Sequence, residues 1–157
     1  MRKLTRKTVA VAAVAVLLSG GVAFAYWTAG GSGTGSAATG TNVAISAVQT
    51  TVVTAMSPGG AAQTLSGNFT NTNTSPVYVA TVTASIASVA KATGAPTGTC
   101  DTTDYTLATP AMAVAAQVPA GTAQGAWTGA TIAFNNKAAS NQDACKGATV
   151  TLSYAIS

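Results

Sequence analysis

From Leu65 onward, apolar and polar side chains alternate with a period of two, the spacing of strands that bury one face. The cleanest run ends the chain, where Val150, Leu152, Tyr154 and Ile156 alternate with Thr149, Thr151, Ser153 and Ala155. Leu65, Gly67 and Phe69 alternate with Ser66, Asn68 and Thr70 in the same way. Tyr78, Ala80, Val82, Ala84 and Ile86 are predicted to share one face, opposite Thr81, Thr83 and Ser85. Less regular strands are expected over 44–53, 105–109, 112–118 and 126–134. Between them stand residues that favour turns: Ser57-Pro58-Gly59-Gly60, the Asn/Thr run 71–76, Gly94-Ala95-Pro96-Thr97-Gly98, Pro119-Ala120-Gly121 and Asn135-Asn136. The Ala-rich stretch 111–116 is the best helical alternative, but Pro110 and Pro119 bracket it too closely. The pattern predicts an all-β domain over 42–157: an immunoglobulin-like or jelly-roll antiparallel β-sandwich of about seven strands.

Ahead of this domain the pattern changes twice. Arg2, Lys3, Arg6 and Lys7 precede an apolar run, 8–18, and Ala23-Phe24-Ala25 follows. A basic start, an apolar centre and an A-x-A site make 1–25 a secretory signal peptide. The apolar run is too short, and too lacking in a basic stop-transfer flank, for a retained membrane span. After Tyr26 and Trp27, residues 28–41 are almost entirely Gly, Ser, Thr and Ala. Such a segment cannot bury enough apolar surface to fold alone, so 26–41 reads as a flexible arm.

Charge then matters for what remains. Four of the seven Lys and Arg belong to the leader; beyond it stand Lys91, Lys137 and Lys146 against Asp101, Asp104 and Asp143, with no Glu and no His. Three lysines cannot make a phosphate-tracking patch, which excludes nucleic acid as a partner. Histidine catalysis and histidine metal ligation are excluded outright. General acid–base work needs a tunable group in a cleft, and no motif marks one, so the chain reads as non-enzymatic and free of cofactors.

Cys100 and Cys145 are an even pair in an exported chain, which reads as a disulfide; free thiols or a metal pair are the other possibility. Closing a loop of about 45 residues is worth on the order of 4 kcal/mol. With only Leu65, Leu107 and Leu152 as leucines beyond the leader, the core needs such a staple. The bond would bring Asp101 and Asp104 towards Asp143 and Lys146. A Ca²⁺ site on the three carboxylates is one reading of that cluster; a surface ion pair between Lys146 and one aspartate is the favoured one. Trp127 is a candidate platform for stacking a sugar ring, but with so few other bulky groups the favoured reading is the tryptophan that fills the core. Asn68-Phe69-Thr70 and Asn73-Thr74-Ser75 fit the N-glycosylation pattern.

Two stretches carry a family resemblance. The run Ala25-Tyr26-Trp27-Thr28 with its Gly/Ser/Thr tract resembles the SipW-type signal region of TasA/camelysin-type secreted proteins, and 65–82 is similar to that family's first hairpin. The ending Asn141-Gln142-Asp143-Ala144-Cys145-Lys146-Gly147-Ala148, followed by a terminal strand, resembles a group of secreted proteins of high-GC Gram-positive bacteria that has no established activity. The first resemblance implies a sandwich fold and a role in surface fibres or biofilm matrix. The present chain is shorter and nearly uncharged, and without histidine it lacks the metal-protease motif once proposed for camelysin. The expected function is a secreted structural or cell-surface protein whose partners are its own copies or the cell envelope, with Tyr26 and Trp27 as assembly residues. An extracellular module for glycan or protein is the alternative.

Overall fold

The structure, a computed structural model, describes residues 32–157. The predicted leader, Tyr26 and Trp27 lie outside the described residues. Residues 32–45 have no regular secondary structure and 32–44 are exposed, while 40–157 form one compact unit. No helix among the described residues is long and apolar enough to cross a membrane.

The unit is an all-β sandwich of two antiparallel sheets. Its strands are β1 (Ser46–Gln49), β2 (Gln63–Asn71), β3 (Val77–Ala90), β4 (Tyr105–Ala108), β5 (Ala111–Val118), β6 (Gly121–Phe134) and β7 (Thr149–Ile156). One sheet has the order β1-β2-β6-β4 and the other β5-β3-β7. The Ala-rich stretch is strand β5, as its flanking prolines imply. The core between the sheets is built from Leu65, Phe69, Val79, Val82, Ala84, Met112, Val118, Trp127, Ala130 and Ile132.

Where the alternation is unbroken the strands lie as expected, with Leu65, Gly67 and Phe69 of β2 all buried. In β3 the predicted face is wrong at its start. Tyr78 is 56% exposed and Val79 is fully buried instead, while Val82 and Ala84 point inward as expected. The cause is a bulge: the N–H groups of Ala80 and Thr81 both donate to the Ser157 carbonyl, which inserts one residue and reverses the phase. Strand β6 begins five residues before its predicted start at 126, because three register shifts against β2 hide its period. Each shift coincides with a positive φ, at Ala123, Gly125 and Gly129. Strand β1 is shorter than 44–53, since Thr50 and Thr51 both donate to the Ser66 carbonyl and the chain then leaves the ladder.

Two polar contacts tie the sheets together. Asn71, buried at the end of β2, donates to the Val118 carbonyl of β5 at 2.9 Å, and its Oδ1 accepts from the N–H of Asn73 at 3.0 Å. Tyr154 of β7 packs on Trp127 with ring centroids 4.6 Å apart and donates its hydroxyl proton to Gln49 Oε1 at 2.6 Å.

Candidate functional site

All six charged residues after Lys7 fall in two connections, 91–104 between β3 and β4 and 135–148 between β6 and β7. These connections are joined by the Cys100–Cys145 disulfide, whose Cα atoms lie 5.1 Å apart. The bond rests on a small second core of Tyr105, Phe134 and Ala144, with Tyr105 and Phe134 stacked at 5.0 Å. One end of the sandwich is therefore a charged pole, and among the described residues every strand is uncharged.

The pole is built on two short 3₁₀ turns. In Thr102–Asp104, the Asp101 carboxylate accepts the Thr103 N–H at 2.8 Å, and Asp104 Oδ2 accepts the Asp101 N–H at 3.0 Å, a reciprocal cap that fixes both acids. Asp104 is only 4% exposed. Its other oxygen receives Lys137 Nζ at 2.9 Å and Gln142 Nε2 at 3.1 Å. Lys137 also donates to Thr103 Oγ1 at 2.7 Å. In the second turn, Asp143–Cys145, Asp143 holds Lys146 at 2.7 Å on the open surface. Lys91 donates to the carbonyls of Pro96 and Gly98 at 3.1 and 2.9 Å.

The pole corrects the calcium reading of Asp101, Asp104 and Asp143. Their carboxylates do not converge: Asp101 serves Thr103, Asp104 serves Lys137 and Gln142, and Asp143 serves Lys146. Among the described residues the group whose candidate ligand atoms do gather is Cys100, Asp104 and Cys145. Its sulfurs are bonded to each other and unavailable as thiolates. The surface pair expected for Lys146 is present with Asp143. The inner pair of Asp104 with Lys137 is not legible in the sequence, where the two are far apart and share no motif.

Trp127 takes the core reading and not the sugar-stacking one. It is 2% exposed, lies opposite Gly67 and donates Nε1–H to the Asn68 carbonyl at 3.0 Å, so it has no free face for a sugar. The concave feature of the pole is instead a cleft of about 520 Å³, with Met56 and Phe134 as apolar lining and Asn136, Gln142 and Lys146 among its polar lining.

The acids set the pH response. Asp101 is held below the ordinary carboxyl value by its hydrogen bonds from the Thr103 side chain and N–H. Burial alone would raise Asp104, but the Asp101 N–H, Lys137 and Gln142 outweigh it and the net shift is downward. Lys146 lowers Asp143. Burial raises Tyr105 and Tyr154 above 10.0. Below the ordinary aspartate value of 3.8 the unfolded chain binds more protons than the folded one, so stability falls as the pH drops. Above pH 10.0 the folded tyrosines keep protons that the unfolded chain has lost, so stability falls as the pH rises. With no His or Glu, stability measured by urea titration should be flat from about pH 5 to 9. Asp104→Asn should lower it at neutral pH by about 2 kcal/mol and make the acid limb shallower. An unchanged acid limb would remove Asp104 from this account.

Comparisons with protein-family models, with curated proteins and with solved structures find no match to this chain.

Proposed function

We propose that the chain is a secreted, non-enzymatic structural protein of the cell surface or extracellular matrix, acting by association with its own copies. The observation that carries this reading is the confinement of charge to one pole, which leaves the strand edges without the lysines that normally blunt them. Three of the four edges are protected in other ways. β1 and β4 are four residues long, and β4 ends at Thr109 with φ of 44° and then Pro110. β5 lies between two prolines and is broken at Ala115, where φ is 48°. The fourth edge, β7, has eight residues, no charge, no proline and no extra residue of its own.

An arm ahead of the domain supports the same reading. Fourteen residues, 28–41, reach at most about 46–50 Å when extended, enough for Tyr26 and Trp27 to contact a neighbour. Adding such an arm to another molecule's sheet is a head-to-tail contact that need not close on itself. The secreted protein, with an intact mass that begins at Tyr26, should sediment as large species that grow with concentration. A form without 26–41 should remain folded and lose them. Full-length protein that stays monomeric at every concentration would overturn the proposal.

The alternative, an extracellular binding module for glycan or protein, draws on the cleft at the charged pole. Retention of monomeric protein on insoluble polysaccharide, lost on substitution of Asn136 and Gln142, would favour it.

A further inference from the structure

We propose that the free edge of β7 pairs with the same edge of a second copy about a two-fold axis, making one continuous six-stranded sheet. This rests on the self-association proposed above and names one contact in it, a two-fold pairing that closes at a dimer and leaves growth beyond the dimer to the arm. Thr81 and Ser157 exchange hydrogen bonds, N–H to carbonyl, at 3.1 and 3.0 Å. Antiparallel pairing alternates, so Ala155, Ser153, Thr151 and Thr149 face β3, while the backbone groups of Val150, Leu152, Tyr154 and Ile156 point away from it. Among the described residues those outward groups have no backbone partner.

The core is also unfinished along this strand. Val79, Val82 and Ala84 of the neighbouring β3 are at most 2% exposed, whereas the inward side chains of β7 are all only half-buried. A groove of about 360 Å³, bordered by Val53, Met56 and Ile132, runs beside Val150 and Leu152. Val43, Val48 and Val52, three exposed large apolar residues, belong to β1 and its flanks, the edge strand that Tyr154 reaches through Gln49.

A second β7 gives the outward backbone groups their partners and sets apolar side chains beside the half-buried inner face of the strand. With the axis between two Ser153 residues, Leu152 stands opposite Tyr154, Val150 opposite Ile156 and Thr151 opposite Ala155. Each outward residue then meets an outward residue, apolar side chains meet on the inner face, and no charge is buried. The contact makes about eight backbone hydrogen bonds, close to the number of about ten in a specific interface of ordinary size.

Ser153 provides the test because it is exposed and, among the described residues, its only side-chain hydrogen bond is to Ser85 Oγ at 2.7 Å on the outer face. Ser153→Lys and Ser153→Glu, each prepared in the full secreted chain, place like charges directly opposite across the axis. Each should weaken self-association by about tenfold or more in sedimentation, with the melting temperature of the domain unchanged. An equimolar mixture should restore association, because Lys then faces Glu. Single variants that associate like the parent, or a mixture that stays dissociated, would overturn the two-fold pairing. If deleting 26–41 disperses the protein while the Ser153 variants change nothing, self-association stands and the donor is the arm. If the parent protein is monomeric, both proposals fall.

Discussion

Replacing Cys100 and Cys145 together with serine should lower stability by about 4 kcal/mol, the loop-closure value for a separation of 45 residues. The expected shift in urea midpoint is about 2 M, for a slope near 2 kcal/mol per molar. The bond joins the two long connections of the sandwich at a place where little else does. The core beneath it has Tyr105, Phe134 and Ala144, and the polar links across it are those of Asp104 with Lys137 and Gln142, of Thr103 with Lys137 and Asn135, and of the Asp104 carbonyl with the Asn135 N–H. The damage should be confined to the pole at first, with Tyr105 and Phe134 exposed before the strands separate. A variant with an unshifted midpoint would mean that the polar links alone hold the connections.

Gly67→Ala should destabilise by about 3 kcal/mol through overpacking. The glycine lies opposite Trp127 in the β2–β6 pair, and a Cβ there would overlap both the Val48 carbonyl oxygen and the indole ring. Neither can yield cheaply: the carbonyl is backbone of β1, and the indole is fixed by its bond to the Asn68 carbonyl and its contact with Tyr154. Gly94→Ala is the control for backbone strain. It has φ of 77° but open space around it, so it should cost only about 1 kcal/mol. Equal losses in the two variants would show that packing at Gly67 is not the cause.

The strands were legible wherever one residue occupied each step of the pleat. β2 and β7 satisfy that condition, and their inward faces follow directly from Leu65, Gly67 and Phe69 and from the Val150–Ile156 alternation. Bulges obscured the rest, since a single inserted residue moves every later side chain to the opposite face. Tyr78 and Ala80 failed for that reason in β3, and 121–125 were missed in β6. Turn composition suggested the surroundings of Asn71, but not that its amide would cross to Val118. At the pole, the disulfide and the Lys146–Asp143 pair were visible because the residues are either the two cysteines or close neighbours. Lys137 and Asp104 meet only after two connections are laid side by side. For Trp127, its bulk suited both readings, and the space left by Gly67 decides between them.

The anchoring of the lysines at the pole bears on resistance to proteolysis. An enzyme that cleaves after Lys or Arg must draw an extended side chain into a deep acidic pocket. Between Lys7 and Lys91 the sequence has no such residue, so the arm and the first three strands contain no site at all. In the folded domain Lys91 is held by two carbonyls, Lys137 by Asp104 and Thr103, and Lys146 by Asp143. The same disulfide keeps any fragment cut at Lys137 attached to the rest of the molecule. A nick after Lys137 would therefore leave the sandwich in one covalent piece, whereas Lys91 and Lys146 lie outside the loop that the bond closes and depend on their anchoring alone.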